Sequence, residues 1–131
     1  MLRAAPMTPL HRAAPLRDGA DFAALARDVL GALGIALAPP DGFPAPTRVA
    51  HDAPDGRVVR FVHTRQAPDP YAGGPVDTRS LSVERDGAWL RVSIEEVAWV
   101  GDELTATGRA PAGEVAAVEA AVDAFVARWG R

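Results

Sequence analysis

The strongest constraint in this sequence is a two-residue turn, Asp86-Gly87, set between two runs of alternating apolar and polar residues. A type I′ hairpin turn needs positive φ at both central positions, which Asp tolerates and Gly adopts freely. The turn predicts Arg85 opposite Ala88, Val83 opposite Leu90, Leu81 opposite Val92 and Arg79 opposite Ile94. In that register Leu81, Val83, Leu90, Val92 and Ile94 share one face. Ser80, Ser82, Glu84, Trp89, Arg91 and Ser93 share the other. A one-residue slip would turn every apolar side chain outward, so turn chemistry and alternation specify the same pairing.

A second turn is expected at Gly101-Asp102, placing Trp99 opposite Leu104 and Val97 opposite Ala106. This extends the hairpin into a three-stranded antiparallel meander over residues 79–108. The apolar positions change phase, from even (Leu90, Val92, Ile94) to odd (Val97, Trp99). An extra residue at Glu95-Glu96, a β-bulge, is expected to keep all five on one face.

Two amphipathic helices flank the strands. Asp18 to Gly34 has Asp18 as its expected N-cap, and Phe22, Leu25, Val29 and Leu33 as an apolar stripe. Gly34 stands where a left-handed residue closes a helix, with Ile35 folding back on Leu30. Pro111 to Trp129 carries Val115, Val118, Val122, Phe125 and Trp129 at alternating steps of three and four. Between the helices, the proline-rich residues 38–46 precede strands at Thr47 to His51 and Arg57 to Gln66, joined by a turn over 52–56. Residues 67–78 form the longest loop, with Tyr71 its one large side chain.

Residues 1–17 hold three prolines, three arginines and no acid, and show no periodicity. They are expected to form an extended arm that packs little on the domain that follows, residues 18–131. The fold class predicted is α+β, in the order α-β-β-β-β-β-α. It is a two-layer sandwich with a mainly antiparallel sheet of about five strands, covered on one face by the N- and C-terminal helices.

Composition removes several function classes. The 131 residues contain no cysteine, so disulfides, thiolate catalysis and Cys-based metal sites are out. All basic residues are Arg, as a GC-rich genome produces. Three of the 14 arginines lie in residues 1–17, leaving 11 against 17 acids and a net charge of −6 in the remainder. That balance predicts no nucleic-acid partner, because such affinity rests on neutralising phosphates. No apolar run is long enough for a membrane helix. No cofactor and no metal are expected, and the location expected is cytoplasmic.

Candidate chemistry is sparse. His51, Asp52 and Asp55 have a metal-like spacing, but aspartates beside a proline in a turn normally bind their own backbone. Hairpin pairing of 47–51 with 57–66 would hold His51 and His63 about 20 Å apart, at ~3.3 Å per residue. Glu95 and Glu96, with His63 and Tyr71, are the candidates for acid–base work. The binding candidates are Trp89, Arg91, Arg60 and Tyr71. Tryptophan and arginine on the polar face of a meander are residues that interfaces favour. The leading expectation is a small binding or adaptor protein using its open sheet face for self-association or a protein partner. The alternatives are a small enzyme or ligand-binding protein with a pocket beside loop 67–78, and a structural subunit of a larger assembly.

Overall fold

The computed structural model describes residues 6–40, 44–66, 75–97 and 99–131. The elements are β1 (Met7–Leu16), α1 (Phe22–Ala32), β2 (Thr47–Asp52), β3 (Val58–Arg65), β4 (Pro75–Arg85), β5 (Ala88–Val97), β6 (Gly101–Pro111) and α2 (Ala112–Trp129). All six strands form one antiparallel sheet in the order β1-β6-β5-β4-β3-β2. α2 lies over β1 and β6, and α1 packs against α2 and β5. The class is α+β with one helical layer on one sheet face.

The Asp86-Gly87 turn forms as its chemistry dictates, with φ of 50° and 81°. It sets Val83 opposite Leu90, Leu81 opposite Val92 and Arg79 opposite Ile94. The inward residues Leu81, Val92 and Ile94 are buried with Phe61 of β3 and Leu104 of β6. Against them pack Leu25 and Leu30 of α1, and Val115, Val118 and Val122 of α2. α1 closes as expected, with Gly34 at φ 71° and the Ile35 N–H donating to the Leu30 carbonyl at 2.9 Å. Its start is corrected. The cap is Asp21, whose carboxylate accepts from the Ala24 N–H at 3.2 Å, because Gly19 at φ 80° keeps Asp18 outside the helix.

The sheet has six strands rather than about five. The sixth is Met7–Leu16, the stretch expected to be an arm that packs little. It pairs with β6 along its whole length, and Leu10 and Leu16 are buried. Its even residues point at the helices. Its odd residues turn their backbone groups to the sheet edge, where the Arg131 N–H donates to the Pro15 carbonyl at 3.0 Å and the Arg17 N–H to the Trp129 carbonyl at 2.7 Å. Pro9 and Pro15 are both odd, so their missing N–H groups fall on that edge and cost no ladder bond. Prolines on an edge also discourage pairing with another strand. Gly130 bridges to Leu16 at the end of the same edge.

The β5–β6 connection is also corrected. Val97 pairs with Gly101, Ile94 with Leu104 and Val92 with Ala106, so the reversal precedes Gly101-Asp102. Trp99 at φ 70° and Gly101 at φ 107° absorb it, and the Val100 N–H donates to the Val97 carbonyl at 3.1 Å. No bulge interrupts β5. The extra residue lies on β4, between Pro75 and Asp77. Consequently Glu95 and Val97 lie on the open face, and Trp99 stands at the turn tip, 87% exposed. Glu96 takes the inward position. It can do so because the helices no longer cover the strand there and Arg65 is near enough to feel its charge.

Candidate functional site: the open sheet face and the polar end

Both helices pack on one side of the sheet, so the opposite face of the central strands is left open. Pairing orders that face into rows. Trp89 lies beside Arg109 and Glu84, and Arg91 beside Thr107 and Ser82, with Arg60 next on β3. The following row is Ser93, Thr105, Ser80 and Val62. After it come Glu95, Glu103 and Thr78.

Three of the predicted binding residues therefore share one end of this face. Trp89 is 42% exposed. Arg60 is paired with Glu84 across two strands. Arg91 donates to the Ser93 hydroxyl at 3.3 Å. Tyr71 lies outside the described residues. Ser80 and Ser93 are buried although they face outward, because they are short and lie between rows of longer side chains.

Along β5 and β6 the charge on this face is segregated, while Glu84 of β4, beside Trp89, is paired with Arg60. Arg91 and Arg109 stand at the Trp89 end. Glu95 and Glu103 stand at the other end, directly opposite each other on β5 and β6. Like charges in directly opposed positions oppose pairing. Among the described residues none of these four makes an ion pair.

The catalytic candidates are not brought together on one surface. Glu95 faces out and Glu96 faces in. His63 is buried on the helix side, its Nε2 2.5 Å from Asp77 Oδ1, while Arg65 holds the other carboxylate oxygen at 2.9 Å. Thr47 is opposite His63 and Val59 opposite His51, so the two histidines lie four residues apart along the hairpin, about 13 Å at ~3.3 Å per residue and nearer than the ~20 Å expected. Among the described residues no cluster of three potential metal ligands exists.

His63, Asp77 and Glu96 belong instead to a polar end of the inner face. A recess of about 800 Å³ there is lined by Arg17, Asp18, Arg79, Glu96, Trp99 and Asp102, among others. Burial raises the Asp77 pKa, but hydrogen bonds from Arg65 and His63 and their charges outweigh it, so the carboxyl sits below its ordinary value. Asp102 shows the reverse. Burial, with the Asp18 charge second, raises its pKa against a backbone hydrogen bond from Gly19 and the charge of Arg79.

The raised Asp102 pKa has a measurable consequence. An unfolded Asp titrates at about 3.9, below the folded group. Ionised Asp102 therefore costs stability, and the cost grows as pH rises from about 4 through the folded pKa. Asp102→Asn, which still accepts from Gly19, is expected to melt higher than wild type at pH 7. It should lose that advantage at pH 3. Melting curves across this range check it, and an advantage that persists at pH 3 would contradict it.

Two residues stand out that the sequence alone did not mark. Arg57 is buried and ties three segments together. It donates to the α1 end at Leu33 O (2.7 Å), pairs with Asp55 (2.6 Å) and faces Glu114 of α2 at 3.5 Å. Its one local signal is Asp55 two residues earlier in a turn. Asp102 is the other, and nothing in its neighbours along the chain announces its burial. No protein-family model, curated protein or solved structure matches this chain.

Proposed function

We propose that this protein works by binding, as a small cytoplasmic adaptor whose working surface is the open sheet face. The observation that supports this most is the Trp89 end of that face. A half-exposed indole and two arginines that form no ion pair among the described residues lie side by side on the β5–β6 strand pair, opposite the helical layer. Contact sites on folded domains favour this combination of tryptophan, arginine and fixed backbone. No helix among the described residues is long and apolar enough to cross a membrane.

A photo-reactive residue placed at Arg109, on the open face, should crosslink to protein in cells. The same residue at Asp123, on the exposed side of α2, should not. Trp89→Ala should weaken binding at least about tenfold, the scale of an interface hot spot. Circular dichroism of each variant controls for folding. Equal crosslinking from both positions, or none from Arg109, would show that the open face is not the working surface.

A further inference from the structure

We infer that the open face receives a second copy of this chain, stacked face to face, with the two-fold axis running across the strands over the Ser93 row. The inference rests on the reading of the open face as the working surface, and it names the partner and the crossing.

The argument begins with the segregated charges. Along β5 the open-face residues are Trp89, Arg91, Ser93, Glu95 and Val97. Arg91 and Glu95 are four residues apart, roughly 13 Å at ~3.3 Å per residue. Among the described residues the two form no ion pair within one chain.

When two identical faces stack with their strands aligned, two two-fold axes are possible. An axis parallel to the strands sets like row on like row. Arg91 would then meet the row of Arg91 and Arg60, and Glu95 and Glu103 their own acidic row. An axis across the strands reverses strand direction while keeping each strand over its own copy. With that axis over Ser93, Arg91 of each copy stands over Glu95 of the other, twice by symmetry. Arg109 comes within one strand repeat of Glu103. Trp89 meets Val97 of the second copy, two apolar side chains that each stand partly in water alone. The central row of Ser93, Thr105, Ser80 and Val62 is short, which allows stacked sheets their usual separation of about 10 Å.

The crossing also accounts for an unfavourable feature of the isolated chain. Glu95 and Glu103 repel each other across β5 and β6, and no described cation answers them. In the stacked pair each faces an arginine end. Arg48 of β2 lies on the same axis and would face its own copy. A twist of about 20–25° per strand turns that edge away from the contact.

Charge reversal tests this directly. Wild type is expected to sediment as a dimer whose dissociation constant rises with salt. Arg91→Glu alone and Glu95→Arg alone should each weaken the dimer by about 100-fold, since like charges then meet at both symmetric contacts. The double variant, Arg91→Glu with Glu95→Arg, should dimerise like wild type. An equimolar mixture of the two single variants should also dimerise, because each of its contacts pairs Glu with Arg.

A wild-type dimer indifferent to both reversals, or not rescued by the swap, overturns the crossing. A wild-type monomer overturns the second copy as partner. If Arg109 still crosslinks to another protein in that case, the open face stands as the working surface and only this inference fails. Circular dichroism of the single variants separates lost association from lost folding, and rescue by mixing requires that both are folded.

Discussion

Deletion of residues 1–16 is expected to leave a chain that no longer folds cooperatively. β1 contributes Leu10 and Leu16 to the core, each worth about 1.5–3 kcal/mol when buried. It supplies the whole outer ladder of β6 and much of the floor under α2. Arg12 adds contacts to Glu119 at 2.6 Å and Asp123 at 3.2 Å on α2. Those pairs are partly exposed and add little. Apolar burial alone approaches half of a typical stability of about 5–15 kcal/mol, and loss of the ladder comes on top. Thermal unfolding followed by circular dichroism reads the result. Leu16→Ala provides a graded companion, with an expected loss of about 3 kcal/mol. A truncated chain that melts near the wild-type temperature would mean that β1 is dispensable and that the sheet ends at β6.

This strand was the element least readable in the sequence, for physical reasons. Its inward positions are Thr8, Leu10, Arg12, Ala14 and Leu16, with just two large apolar residues among them. Its outward positions include Pro9 and Pro15, which look like strand breakers until the edge is known. The partners of Arg12 lie near the far end of the chain. By contrast, the Asp86-Gly87 hairpin was readable to the residue, because turn type and alternation constrain each other locally. The α1 ending and the α2 stripe were readable for the same reason, since the interacting residues are within one or two helical turns.

The β5 phase change shows the limit of pattern reading. Apolar character predicts inward positions for Val97 and Trp99. Val97 instead lies partly open on the outer face, and Trp99 stands in water at a turn tip. Apolar residues at the surface are ordinary, whereas a bulge must be placed where the ladder tolerates it. Here the ladder tolerates it on β4, beside the loop, where one pairing neighbour ends. Of the candidate site, Trp89, Arg91 and Arg60 were readable because the hairpin register decides their face. The charge segregation was not, because Glu103 and Arg109 reach that face through a β6 register that the expected turn displaced.

Gly108→Ala is expected to cost about 4 kcal/mol, combining a forbidden conformation with a backbone collision. Gly108 has φ 148°, a region that side chains with a Cβ rarely enter. A Cβ built there would lie 2.2 Å from the Trp89 carbonyl oxygen and 2.9 Å from the Leu90 Cα. Neither strand can yield easily, because β5 is held between β4 and β6, and β6 between β5 and β1. Gly87→Ala separates the two contributions. Gly87 also has positive φ, at 81°, but nothing stands within 4 Å of its missing Cβ, so about 1 kcal/mol is expected there. Denaturant unfolding of both variants gives the comparison. Equal losses would mean that conformation alone matters and that β5 and β6 have room to part at this row. Gly108 stands opposite Leu90, and the adjoining row carries Trp89 and Arg109. The close approach at Gly108 thus fixes the backbone under the indole, and a Gly108→Ala protein that keeps wild-type stability would leave Trp89 without the rigid platform that a contact residue requires.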